Sequence, residues 1–191
     1  MAEYHDVLDF WFAPLGSPEF GKPRAAWFEK SQAFDDVIRA RFPDLHRRAA
    51  AGALQAWRDS ADALLALIVV LDQFPRNLFR GSSAAFATDA QALAAAQLAV
   101  ARGFDVQLLP VQRWFVYLPF EHAEDLAQQR RSLELFERLR GDPASAGSID
   151  YARRHFDIIA RFGRFPHRNA ALGRVSTPEE AEFLTQPGSG F

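Results

Sequence analysis

The residues from Leu64 to Leu71 are all apolar, and this stretch constrains the fold more than any other. It is far shorter than the ~20 residues that a membrane-crossing helix needs. Asp62 to Phe74 reads as a helix with almost no polar face, since Leu64, Leu65, Leu67, Ile68, Val69, Val70 and Leu71 point in every direction around it. A helix that is apolar all round must be covered on most sides. A buried strand over Leu67 to Leu71 is the rival reading, but the flanking Ala61, Ala63 and Ala66 and the length of the segment favour helix. The rest of the chain must therefore supply amphipathic partners for a central helix.

Those partners are visible. Tyr4, Val7, Leu8, Trp11 and Phe12 fall at i, i+3, i+4, i+7 and i+8, and Pro14 closes that helix. Phe34, Val37, Ile38 and Phe42 repeat the period, with Ser31 as a candidate N-cap, and Pro43 interrupts them. Gly52 is placed to end the next turn. Thr88-Asp89-Ala90-Gln91 has the spacing of a capping box, and the alanine-rich helix after it stops at Gly103. Pro110 opens a helix carrying Val111, Trp114, Phe115 and Leu118, which Pro119 is expected to break. Leu126 to about Gly141, Ile149 to Phe162, and a helix opening at Thr177-Pro178-Glu179-Glu180 complete the series. No alternating Val/Ile/Thr-rich run and no Asn-Gly or Asp-Gly hairpin signal is present. The expectation is one all-α domain over residues 1–191, about eight to ten helices in antiparallel hairpins.

Two stretches echo each other. Leu71-Asp72-Gln73-Phe74-Pro75-Arg76-Asn77 is followed by Gly81 and Thr88; Phe162-Gly163-Arg164-Phe165-Pro166-His167-Arg168-Asn169 is followed by Gly173 and Thr177. Each reads as a helix, a Phe-Pro break, Arg and Asn, then a capped helix. Proline disfavours helical backbone at the residue before it, and Asn suits a local turn. The alternative is two unrelated helix ends that share turn chemistry. Together with Pro119-Phe120-Glu121-His122-Ala123-Glu124, these strings resemble the signatures of the DUF924 family, a bacterial-type family of unknown function, over essentially the whole chain. The resemblance implies an all-α fold similar to a tetratricopeptide-like superhelix. It implies no activity and no catalytic residue.

Composition removes many function classes. With no cysteine, thiolate metal sites, disulfides and cysteine nucleophiles are excluded. No P-loop, dinucleotide fingerprint, His-Glu-x-x-His or Gly-x-Ser-x-Gly motif occurs. A net charge of −2 argues against nucleic acid or an anionic membrane as partner. The N-terminus lacks a basic segment followed by an apolar one, so a cytoplasmic protein is expected. The four tryptophans and 18 phenylalanines are expected to serve core and hairpin packing rather than a ligand cage.

One charge pattern points to a site. Ile158 to Pro178 contains Arg161, Arg164, Arg168, Arg174 and His167 but no acid. Guanidiniums beside apolar residues need acceptors, and Asp72, Asp89, Glu121, Glu124 and Asp125 are the candidates. The segments Asp72 to Arg80, Glu121 to Glu124 and Arg161 to Arg168 should therefore converge. If arginine remains in surplus there, the place suits a small anion or a peptide carboxylate. The candidate ligand-binding residues are Arg76, Asn77, Arg80, Glu121, His122, Glu124, Arg164, His167, Arg168 and Asn169. Internal ion pairing is the competing account. An alternative function is a hydrolase-like enzyme in which His122 works with Glu121 or Glu124. Glu121-His122-Ala123-Glu124 lacks a recognised ligand spacing, so no metal and no cofactor is expected.

Overall fold

The computed structural model describes residues 3–190. Nine α-helices run through them: α1 (Glu3–Phe12), α2 (Gln32–Arg41), α3 (Pro43–Ala50), α4 (Ala61–Leu78), α5 (Asp89–Ala101), α6 (Pro110–Glu121), α7 (Leu126–Glu137), α8 (Ala146–Phe162) and α9 (Pro178–Leu184). Short 3-10 turns join several of them, and the described residues contain no strand. Consecutive helices from α3 to α8 pack on one another in chain order, while α1 and α2 return onto α4. This succession fits a superhelical stack of helical hairpins. None of these helices is long and apolar enough to cross a membrane.

Helix α4 is the centre. Every residue from Ala63 to Pro75 is buried, and Ser60 caps its start by accepting a hydrogen bond from Ala63 N–H. Burying each large aliphatic side chain there contributes roughly 1.5–3 kcal/mol. The alanines Ala92, Ala95, Ala96 and Ala99 of α5 are buried, and their small side chains allow a close approach to α4. The tryptophans are buried as expected. Trp27 stacks on Trp11 and meets Phe12 and Phe115 edge-on, and its indole N–H donates to the Trp11 carbonyl at 2.9 Å.

The two Phe-Pro stretches do not share a shape. α4 continues through Pro75 to Leu78, and α6 continues through Pro119 to Glu121; neither proline breaks its helix. In the second stretch Gly163, at φ +70°, ends α8, and Pro166 opens a separate 3-10 turn, Pro166–Arg168. The difference at Pro75 has a local cause. Proline has no N–H, so the Leu71 carbonyl one turn earlier loses its helical partner. The Thr88 hydroxyl donates to that carbonyl at 2.6 Å. Thr88 therefore does not cap α5 with its side chain, contrary to its capping-box spacing. The box at Thr177 does form: Thr177 Oγ1 accepts from Glu180 N–H and the Glu180 carboxylate accepts from Thr177 N–H.

Candidate functional site

The end of α4, the start of α5, the end of α6, the middle of α8 and the Pro166–Arg168 turn bring a chain of charged groups together. Asp72 lies at its base, 1% exposed. Its Oδ1 is 2.8 Å from His122 Nδ1 and its Oδ2 accepts from the Gln73 amide. Burial alone would raise this carboxyl, but His122 and Arg76 outweigh burial and hold it well below the ordinary carboxylate range. Arg76 forks onto Asp89 at 2.9 and 3.1 Å and also donates to the Asp72 carbonyl. Asp89 sits in the first turn of α5, where the helix dipole favours an anion. Arg168 reaches the same carboxylate from 79 residues away, at 3.2 Å.

Arg168 is the unusual member. Its side chain is 7% exposed. The guanidinium lies between the rings of Phe86 and Phe165, 4.7 and 4.6 Å from their centroids. Nη1 has the Asp89 acceptor, Nε is buried with none, and Nη2 has none among the described residues. Burial and the nearby charge of Arg76 pull its pKa down to about 10, against the opposing pull of Asp89, Glu124 and Asp72. Burial likewise pushes down His122, helped by Arg76, against the opposing pull of Asp72. His167 falls to about 3 through burial and the neighbouring Arg168, His155 and His122.

A second set of pairs fastens the C-terminal segment. The Glu124 carboxylate accepts from Phe165 N–H at 2.8 Å and takes both arms of Arg174. Arg164 forks onto Glu180 at 2.6 and 2.7 Å, and Asn169 also donates to Glu180. Glu121 faces His155 at 3.0 Å. Gln129 closes the end of α6 by donating to the Glu121 and Ala123 carbonyls.

The model of the family described as bacterial proteins of unknown function, DUF924, matches residues 7–188. The chain belongs to the DUF924 family. A solved structure of a protein of unknown function from Agrobacterium tumefaciens is similar throughout: 42% identity, 95% of this chain and 96% of that one covered, TM-score 0.84. No curated protein matches the chain.

In this DUF924 protein the ten candidate residues divide among four places. Arg76, His122 and Arg168 belong to the central chain of charges, with His167 close enough to feel two of them. Glu121 and Glu124 lie at its rim but are engaged by His155, Arg174 and Phe165. Arg164 and Asn169 belong to the Glu180 clasp. Asn77 and Arg80 turn away to Asp35 of α2, at 2.8 Å for the amide and 2.8 and 3.0 Å for the fork. The three segments thus converge, but the arginines divide among several acids: Arg76 and Arg168 share Asp89, Arg164 takes Glu180, Arg174 takes Glu124 and Arg80 takes Asp35. Asp35 and Glu180 lie outside the group of acids that the charge pattern points to, and Phe86 carries no signal of its role in the sequence. Asp89 was legible as an acid beside a helix start, and His122 finds its partner in Asp72 rather than in Glu121 or Glu124. No group of three or more His, Asp or Glu side chains among the described residues is placed to hold a metal ion.

Proposed function

We propose that this DUF924 protein binds a small molecule bearing a carboxylate or phosphate at the edge where Arg168, Arg76 and His122 meet. The observation that carries the reading is the incomplete hydrogen bonding of Arg168. Arg76 and Arg168 together match Asp72 and Asp89 in formal charge, so the site holds no excess arginine. Its hydrogen-bonding capacity is nevertheless unfilled: a guanidinium has five N–H donors, and this one has a single, 3.2 Å bond. Two aromatic faces fix its plane, which prepares it for a planar or tetrahedral oxyanion. A small ligand suits the enclosed position better than an extended polymer, and the net charge of −2 disfavours nucleic acid.

The test is a thermal-unfolding screen of the purified chain against carboxylates, amino acids and phosphate esters at matched ionic strength. A ligand at 100 times its Kd stabilises by about 2.7 kcal/mol. For a chain of this size that is a rise of about 5–10 °C. Arg168→Lys retains the charge but loses the fork and the stacking, and should abolish the rise. If no anion raises the wild-type melting temperature more than that of Arg168→Lys, the reading is wrong.

A further inference from the structure

We infer that His122 is the proton-transfer group of this site, with Nε2 as the base, and that Asp72 is the residue that positions it. The inference rests on the anion reading above and adds an activity to it. The geometry fixes the tautomer. An ionised carboxylate only accepts hydrogen bonds, so the His122 nitrogen 2.8 Å from Asp72 Oδ1 must carry the proton. That nitrogen is Nδ1. The neutral ring therefore presents Nε2 with a free lone pair, and Nε2 has no partner among the described residues. The ring is 13% exposed while the aspartate behind it is 1% exposed, so only one side of the dyad reaches solvent. This is the division of labour in which a buried acid orients an imidazole and stabilises its cation.

The surroundings keep the base available. Arg76 of α4 faces it and opposes its protonation, whereas Asp72 of α4 and Asp89 of α5 favour it. His155 of α8 has its ring centroid 6.3 Å away but is itself matched to Glu121, the acid nearest His122 on α6. His167 of the 3-10 turn adds no charge near neutrality, since its pKa lies at about 3. The anion position is linked to the dyad by contacts of 3.4, 2.9 and 3.2 Å through Asp72, Arg76, Asp89 and Arg168. The substrate class is a small molecule whose carboxylate or phosphate lies beside an O–H or C–H group. Nε2 takes that proton, the electron pair of the broken bond stays on the oxygen or carbon, and the imidazolium is held by Asp72 until the proton is returned.

The experiment combines two readouts that need no known substrate. Nitrogen-15 NMR of histidine-labelled protein at pH 7 should show His122 with Nδ1 protonated and Nε2 bare. Diethyl pyrocarbonate labelling, mapped by mass spectrometry, should modify His122 within tenfold of the rate of N-acetylhistidine. Acetate or inorganic phosphate at 10 mM should slow that labelling at least threefold. Asp72→Asn should mix or reverse the tautomers and change the labelling rate several-fold. A protonated Nε2 or an inert His122 in the wild type overturns the inference. A wild-type tautomer and rate in folded Asp72→Asn overturn the positioning role. If that variant does not fold, the wild-type measurements decide. Should an anion raise the melting temperature without slowing His122 labelling, the binding reading stands and this inference falls. Should neither probe slow labelling and no anion raise the melting temperature, both fall together.

Discussion

Replacing Thr88 by valine removes one hydroxyl and keeps the shape of the side chain. Its single identified role is the 2.6 Å hydrogen bond to the Leu71 carbonyl, whose helical partner Pro75 deletes. Thr88 is 5% exposed and Leu71 3%, so water does not replace the bond. An orphaned buried carbonyl costs about 1–3 kcal/mol. For a chain of this length the melting temperature should fall by about 3–10 °C. Little of this loss would come from helix capping, because the Thr88 side chain makes no cap hydrogen bond. The reasoning specifies a rescue. Pro75→Ala restores an N–H that can reach Leu71, so the same Thr88→Val change should cost less than half as much in that background. Urea unfolding of the wild type, both single variants and the double variant gives the coupling directly, expected at about 1–2 kcal/mol. A neutral Thr88→Val, or an equal cost in both backgrounds, would refute the account of how α4 accommodates its proline.

Three further outcomes follow from the same structure. Glu180, held at about 2 chiefly by its hydrogen bonds from Arg164, contributes stability that is present above the unfolded value near 4.5 and lost as pH falls through 2; Glu180→Gln should flatten that part of an acid-unfolding curve. His167 stays neutral down to about 3 while the unfolded chain takes up a proton near 6.5, so stability should decline as pH drops through that window, and less steeply in His167→Gln, as followed by circular dichroism. Gly163→Ala should destabilise by about 1–2 kcal/mol in urea titrations through its left-handed backbone alone, because an added Cβ meets nothing within 4 Å; a neutral result would mean that the α8 terminus relaxes.

What could be read from the sequence was mostly local. The burial of Leu64 to Leu71 follows from their own apolarity, and the Thr177–Glu180 box needs only three residues to specify it. Pro75 could not be read correctly because the group that satisfies Leu71 lies 17 residues away, on Thr88 just before α5. The arginines show the same limit from the electrostatic side. Excess charge announced that Arg164, Arg168 and Arg174 needed acids, and the acids were near in space. Which acid each one took depended on reach and backbone direction: Arg164 found Glu180 just beyond the acid-free stretch, and Arg80 found Asp35. The central His122–Asp72 dyad was hidden because its two halves stand 50 residues apart, with nothing in either local motif to join them.

The polar clasp of the C-terminal segment has a consequence for motion. Phe165 packs with Ile158, Ile159, Phe162 and Phe183 in a small cluster separate from the main core. Charge-assisted bonds also attach it, from Arg168 to Asp89, from Phe165 N–H to Glu124 and from Arg174 to Glu124. A segment held this way is expected to open as its own cooperative unit while α4 to α7 stay folded, and to open more often as salt screens its bonds. Asp72, Asp89 and His122 lie on one side of that seam, and His167 and Arg168 on the other. Anything that contacts both sides acts as a latch, and by mass action the closed segment is also the one with the higher affinity. If an anion binds there as proposed, amide exchange along residues 163–183 should slow as its concentration rises.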